Sequence, residues 1–374
     1  MTPEQLNRYS RHLILPGVGM EGQEKLLKAR VLIIGMGGLG CPVAQYLTAA
    51  GIGTIGMIDF DIVDASNLQR QILYSTEDIG QPKVDIAARK LSAQNPDVNF
   101  VVYNESLTSD NALSIFENFD YIIDGTDNFA TRYLVNDACV LSGKTNVYGS
   151  IFKFEGQVSI FGHSDGPCYR CLFPVPPKPG EVPNCAEGGV FGVLPGQVGV
   201  TQATEAIKLI IGLGEPAINK LMVYDALSSS WQKMTIKRNP SCPVCGDAPT
   251  ITELADYEVL CGVNQEPVDE DILNLSPLEV KTRFDSAPGD YCFIDVREPF
   301  ENQISSIEGT ILIPLGQIED RLDELAPVKN IKTIICHCQV GMRSMKALTI
   351  LKNHGFTKLI NVDGGMNQWI RDIK

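Results

Sequence analysis

Residues 29–40, read as Ala-Arg-Val-Leu-Ile-Ile-Gly-Met-Gly-Gly-Leu-Gly, restrict the fold more than any other stretch. A short β-branched apolar run stops at a glycine cluster. The helical sequence "CPVAQYLTAAGIG" follows, with Pro42 in its first turn and Gly51 near its end. "TIGMIDFD" reads as the next strand and "YIIDGTDN" as a later one whose carboxyl end carries acids. Strand and helix alternate to about residue 160, which predicts an α/β domain with a mostly parallel sheet and helices on both faces. "EGQVSIFG" and "KLMVYDALSSSWQKMTIKR" read as antiparallel additions. "FPVPPKPGEVPN" holds five prolines and must be extended.

At 374 residues the chain has room for two or three domains. From Asn239 to Val280 there are nine acids and no Lys or Arg. The middle of this stretch, 247–272, is expected to be an exposed acidic linker between a domain at 1–246 and one at 273–374. The second domain reads as a small α/β unit. "SPLEVKTRF" is a helix capped by Ser276, "YCFIDVRE" and "TIICHC" are strands, and "SMKALTILKNHGF" is a helix ending near Gly355.

A net charge of −14 argues against nucleic-acid binding, which needs a basic face. The polar N-terminus "MTPEQLNRYSRH" has no secretory h-region, and no run reaches 18 uncharged apolar residues. The expectation is a cytoplasmic protein with no membrane partner. In that setting eleven cysteines read as metal ligands or reactive thiols rather than as a disulfide framework.

Gly35-x-Gly37-x-x-Gly40 follows a strand and opens a helix, and Asp59 lies 24 residues beyond Gly35 at the end of the next strand. This is the Rossmann-like fingerprint: glycines let phosphate approach the backbone, and a carboxylate takes the ribose hydroxyls. Asn67, Arg70, Gln71 and Lys83 follow within a short span, and Arg11 stands near the N-terminus. That many cations and amides suit ATP with a departing pyrophosphate better than NAD. Asp127, just past a strand end, is a candidate for Mg²⁺.

Cys168-x-x-Cys171 and Cys242-x-x-Cys245 are two knuckles with 70 residues between them, a spacing that suits one structural Zn²⁺ with no open position. Cys185 sits between proline-rich and glycine-rich runs, where a thiol is exposed and able to react. Near the C-terminus, Cys338-x4-Arg343 with Ser344 follows a strand and opens a helix. A loop of this kind, with Gly341 inside it, turns backbone N–H groups inward on Cys338, and Arg343 closes the ring. It is one residue shorter than a loop that encircles phosphate, so it suits a persulfide sulfur. Cys336, on the same strand face, reads as a packed thiol. The four histidines pair with no acid at useful spacing.

"RYSRH", "GMGGLGC", "DFDIVDASNLQRQ", "GQPKV", "DGTDN", "CYRC" and "NPSCPVC" together resemble the MoeB/ThiF group, relatives of ubiquitin-activating enzymes, over residues 5–246. "FIDVREPFE", "CQVGMRS" and "LINVDGGMNQW" resemble the rhodanese domain over 273–374. The resemblance implies ATP-dependent adenylylation of the C-terminal glycine of a ubiquitin-like sulfur carrier ending in Gly-Gly. Sulfur transfer from a Cys338 persulfide would then give the carrier thiocarboxylate. It implies a nucleotide site of Gly35, Gly37, Gly38, Gly40, Asp59, Asp61, Asn67, Arg70, Gln71, Lys83, Asp127 and Asn128. It further implies a homodimer in which Arg11 reaches the neighbouring site, a role for Cys185 in attack on the activated carrier, and an upstream persulfide donor such as a cysteine desulfurase. The resemblance leaves the pathway open among molybdopterin, thiamine, tRNA thiolation and cysteine synthesis. An NAD-dependent oxidoreductase and a non-catalytic carrier-docking scaffold are the alternatives.

Overall fold

A computed structural model describes residues 1–164, 166–177, 189–255, 257 and 271–373. The chain divides into two compact units, Met1–Gln265 and Glu266–Lys374.

In the first unit eight strands form one sheet in the order β3-β2-β1-β4-β5-β6-β7-β8. They are β1 (Arg30–Ile34), β2 (Thr54–Ile58), β3 (Asn99–Tyr103), β4 (Tyr121–Asp124), β5 (Thr145–Phe152), β6 (Glu155–Phe161), β7 (Lys220–Asp225) and β8 (Ser230–Thr235). The first five run parallel, and β6, β7 and β8 add antiparallel, as the sequence predicts. The apolar run of β1 is continuous because both sheet faces are covered. Val31 and Ile33 pack with the helices Gly40–Ala50, Lys83–Gln94 and Leu194–Ile211, while Leu32 and Ile34 pack with Ala112–Phe116 and Phe129–Ser142. Strand order reverses between β1 and β4. Such a switch point opens a crevice at the carboxyl ends of the strands.

The segment read as an exposed linker departs from that expectation over its first part. Ile251 and Leu254 pack against the unit, and Tyr257 is only 4% exposed, its hydroxyl donating to Asp137 Oδ2 at 2.7 Å. Acid counting missed this because a few apolar side chains and one buried tyrosine, hydrogen-bonded to a buried carboxylate, anchor the stretch, and a tally of charges does not register them. Residues 258–270 lie outside the described residues, as does Cys185 in the proline-rich stretch.

The second unit has a five-stranded sheet in the order β11-β10-β12-β13-β9, all parallel. Its strands are β9 (Ile272–Leu275), β10 (Tyr291–Asp295), β11 (Ile311–Leu312), β12 (Thr333–His337) and β13 (Leu359–Val362). The first helix, Pro277–Ser286, starts as expected. Ser276 Oγ accepts from the Glu279 N–H, and the Glu279 carboxylate takes the Ser276 N–H in return. Among the described residues, no helix is long and apolar enough to cross a membrane.

Candidate functional site

At the crevice of the first unit, Gly35 leaves β1 with φ +85, a left-handed conformation that favours glycine. A Cβ on Gly40 would stand 2.0 Å from the Gly35 carbonyl oxygen, so loop and helix close on each other with no room for a side chain. A Cβ on Gly37 would meet only Gln71 Nε2, at 3.7 Å. Arg70 and Gln71 lie against this loop, since Gly38 faces the Arg70 stem. Gly125 packs on Gly35, which brings the Asp124–Asn128 turn to the same edge.

Asp59, at the end of β2, holds the loop in shape. Its Oδ2 accepts the Met36 N–H at 2.7 Å and its Oδ1 the Asp61 N–H at 2.8 Å. Burial pushes its carboxyl above the usual range, with Lys83 pulling the other way. Lys83 is buried at the start of its helix and reaches Asp61 Oδ2 at 2.7 Å. Asp127 is exposed beside Asn128, whose side chain caps the helix Phe129–Ser142 by accepting from Thr131 N–H at 2.8 Å. Asn67 is half-buried on the neighbouring turn, and Arg70 Nη1 donates to the Ser66 carbonyl. The loops after β1, β2 and β4 thus lie at the carboxyl ends of neighbouring strands, and they carry the residues read from the sequence as a nucleotide site. Arg11 is exposed on the short helix Ser10–Leu13.

Sequence reasoning missed what lies beneath. Asp124 is fully buried and accepts from Thr126 N–H and Oγ1, fixing the turn that presents Asp127. Burial raises its carboxyl, partly offset by Arg132. The acidic end of "YIIDGTDN" was the available signal; nothing in it separates the buried acid from the exposed one.

The four predicted cysteine ligands meet. The sulfur atoms of Cys168, Cys171, Cys242 and Cys245 all lie within 4.8 Å of one another and form a group able to hold a metal ion. Asn239 N–H donates to Cys171 Sγ at 3.3 Å.

In the second unit Cys338 ends fully buried past β12. Its Sγ accepts the Gly341 N–H at 3.1 Å, and Ser344 Oγ lies 3.6 Å away. Gly341 has φ +102 and caps the helix Met342–Asn353. Arg343, expected to close the ring, forks onto Glu301 with two bonds of 2.7 Å. Burial alone would raise the Glu301 carboxyl, but Arg343 outweighs it and holds it below the usual range. Arg297, fully buried, forks onto Asp295 and also donates to Gln339 Oε1 at 3.2 Å, tying β10 to the loop. Cys336 is buried in the core, as expected.

The reading of the histidines needs correction. His337 Nε2 stands 3.6 Å from Asp295 Oδ2, both fully buried. The two are register partners on paired strands, so the contact has no signature in local spacing.

Residues 9–244 match the ThiF family and residues 276–372 the rhodanese-like domain. A probable adenylyltransferase/sulfurtransferase MoeZ of Mycobacterium tuberculosis is 44% identical, covering all of this chain and 95% of the relative. A sulfur carrier protein adenylyltransferase of Thermus thermophilus is 55% identical, over 70% of this chain and 98% of the relative. Adenylyltransferase and sulfurtransferase MOCS3 of Drosophila persimilis is 41% identical, over all of this chain and 85% of the relative. The crystal structure of E. coli MccB with MccA-N7isoASN superposes with a TM-score of 0.59 at 25% identity, covering 65% of this chain and 75% of that one.

Proposed function

The chain belongs to the ThiF family and carries a rhodanese-like domain, and from that premise we propose that it makes a carrier thiocarboxylate in two stages on one polypeptide. The observation that carries the reading is the union of the Asp59–Lys83 crevice with a cysteine-headed loop in one chain. A carboxylate is a poor acyl donor because oxide would have to leave. In the first stage the terminal glycine carboxylate of a ubiquitin-like sulfur carrier attacks the α-phosphorus of ATP, and pyrophosphate departs. The glycine loop receives phosphate on its N–H groups, and Asp59 takes the ribose. Lys83, Arg70, Asn67 and Gln71 neutralise and orient the departing charge, with Asp61 and Asn128 holding Lys83 and the Asp127 turn. Arg11 serves the crevice of a second copy in a homodimer.

Asp127 offers a hard carboxylate oxygen to Mg²⁺, which when bound would spread charge off the phosphates. The cysteine cluster fits Zn²⁺. Four sulfurs at about 2.3 Å from one zinc stand about 3.8 Å apart, and the close pairs measure 3.4, 3.6 and 3.9 Å. With all four positions taken by sulfur, its part is structural.

In the second stage the terminal sulfur of a Cys338 persulfide attacks the acyl carbon and AMP leaves. The product is an acyl disulfide. A thiolate, assigned to Cys185, attacks the Cys338 sulfur; the carrier departs as thiocarboxylate and a Cys185–Cys338 disulfide remains for a cellular dithiol to reduce. The persulfide comes from an upstream donor of the cysteine desulfurase kind. Nine free cysteines among the described residues support a reducing, cytoplasmic setting.

Thiocarboxylate formation is measured by mass with carrier, ATP and a persulfide-charged donor. Cys338→Ala is expected to abolish it while leaving pyrophosphate release intact. Full thiocarboxylate yield from that variant would remove the rhodanese half.

A further inference from the structure

Met36 lies fully buried inside the glycine loop, between the partly exposed Gly35 and Gly37. Both of its backbone groups are held. Its N–H donates to Asp59 Oδ2 at 2.7 Å. Its carbonyl accepts from the Tyr74 hydroxyl at 2.8 Å and from the Cys41 thiol at 3.5 Å. A carbonyl only accepts, so the tyrosine proton is committed to it, and the thiol is a weak donor beside it. Tyr74 is therefore the main anchor, and it packs in the same core cluster as Met36 and Cys41. A peptide bond is planar and trans, so its C=O and N–H point to opposite sides. With the Met36 carbonyl turned into the core, the Gly37 N–H of the same peptide is turned out of it. Among the described residues that N–H has no acceptor, and neither has the Gly38 N–H. Gly37 carries no Cβ to resist rotation of this peptide, so the hydroxyl supplies a constraint that the residue type does not.

We propose that Tyr74 is a positioning residue for the nucleotide phosphate: its hydroxyl fixes the Met36–Gly37 peptide so that the Gly37 N–H faces the crevice before ATP arrives. This rests on the reading of the glycine loop as the phosphate site. Tyr74 closes the turn that carries Arg70 and Gln71, its own N–H donating to the Gln71 carbonyl at 3.1 Å. One side chain thus ties the turn that brings a cation and an amide to the phosphates to the loop that brings a backbone donor.

The test is pyrophosphate release by the full chain with ATP, Mg²⁺ and a β-grasp protein ending in Gly-Gly, at a temperature where every variant is folded. Tyr74→Phe removes the hydroxyl and keeps the ring. A donor held on phosphate in ground state and transition state alike shows in KM and not in kcat. The KM for ATP is expected to rise about five- to tenfold, with kcat within about twofold and the KM for the carrier unchanged. A hydroxyl that serves stability alone would lower the melting temperature and the active fraction, hence kcat, and leave the KM for ATP where it was; that result overturns the proposal. In a Gly37→Ala background Tyr74→Phe is expected to raise the KM for ATP by less than about twofold, since both changes act on one contact. A full rise in both backgrounds also overturns it. Parent-like ATP affinity in Gly37→Ala would take away the phosphate reading itself, whereas a weakened Gly37→Ala beside a parent-like Tyr74→Phe sinks only the role of Tyr74.

Discussion

His337 shows how much a single side chain can carry without touching the reacting sulfur. Burial pushes its imidazole down to about 4, with Asp295 opposing, so it is neutral at ordinary pH. The unfolded chain's histidine titrates near 6.5. Between those values the unfolded state binds a proton that the folded state refuses, so stability falls as pH drops through that window, by no more than about 3 kcal/mol. The lowered carboxyls of Asp295 and Glu301 act below it, since their loss begins only under the ordinary carboxylate range. Urea unfolding of the second unit is therefore expected at lower concentration at pH 5 than at pH 7. His337→Gln is expected to flatten that difference; an undiminished difference would show that another group governs it. The pairing was illegible beforehand because 42 residues separate Asp295 from His337 and only strand register unites them. Arg343 was legible as part of the loop, but its partner Glu301 was not, because it sits on the distant helix Pro299–Ile304 and only tertiary packing brings the two together.

At the level of elements, the glycine loop separates into glycines that serve packing and glycines that serve a ligand. Gly40 abuts the Gly35 carbonyl, so Gly40→Ala must push backbone apart. A loss of stability of about 3 kcal/mol or more is expected, comparable to core overpacking. Gly37 has room for a methyl group, so Gly37→Ala is expected to melt within a few degrees of the parent while ATP binding weakens at least about tenfold. Thermal melting and equilibrium ATP binding on both variants check this; parent-like ATP affinity in Gly37→Ala would remove phosphate from that loop. The spacing of the motif reveals neither role, because both glycines satisfy the same pattern. The cysteine knuckles were legible outright, since their ligands lie three apart twice over. A bound zinc would pin Cys242 and Cys245, in the last part of the first unit, to Cys168 and Cys171, so chelation or Cys242→Ser is expected to lower its melting temperature by several degrees or more. A chain that purifies without zinc and melts unchanged with chelator contradicts that account.

Taken whole, the molecule joins a ThiF-family unit with a glycine loop at its strand ends to a rhodanese-like unit in which Cys338 is buried at the head of a loop. Its order of elements was readable because both units are mostly parallel α/β folds, whose buried strands and glycine turns write themselves as short apolar runs and punctuation. The acidic stretch between them was less readable: Tyr257 draws its first part into the first unit, and composition does not register one anchored ring. Tethering two reacting centres raises their effective concentration into the mM range for a linker of workable length, which is the physical advantage of keeping both stages on one chain. The first stage is the central claim. Pyrophosphate release is measured from the purified full chain with ATP, Mg²⁺ and a small β-grasp protein ending in Gly-Gly, beside the same protein shortened by both glycines. Release that requires the intact terminus is predicted. No release, or equal release with the shortened carrier, would contradict the account.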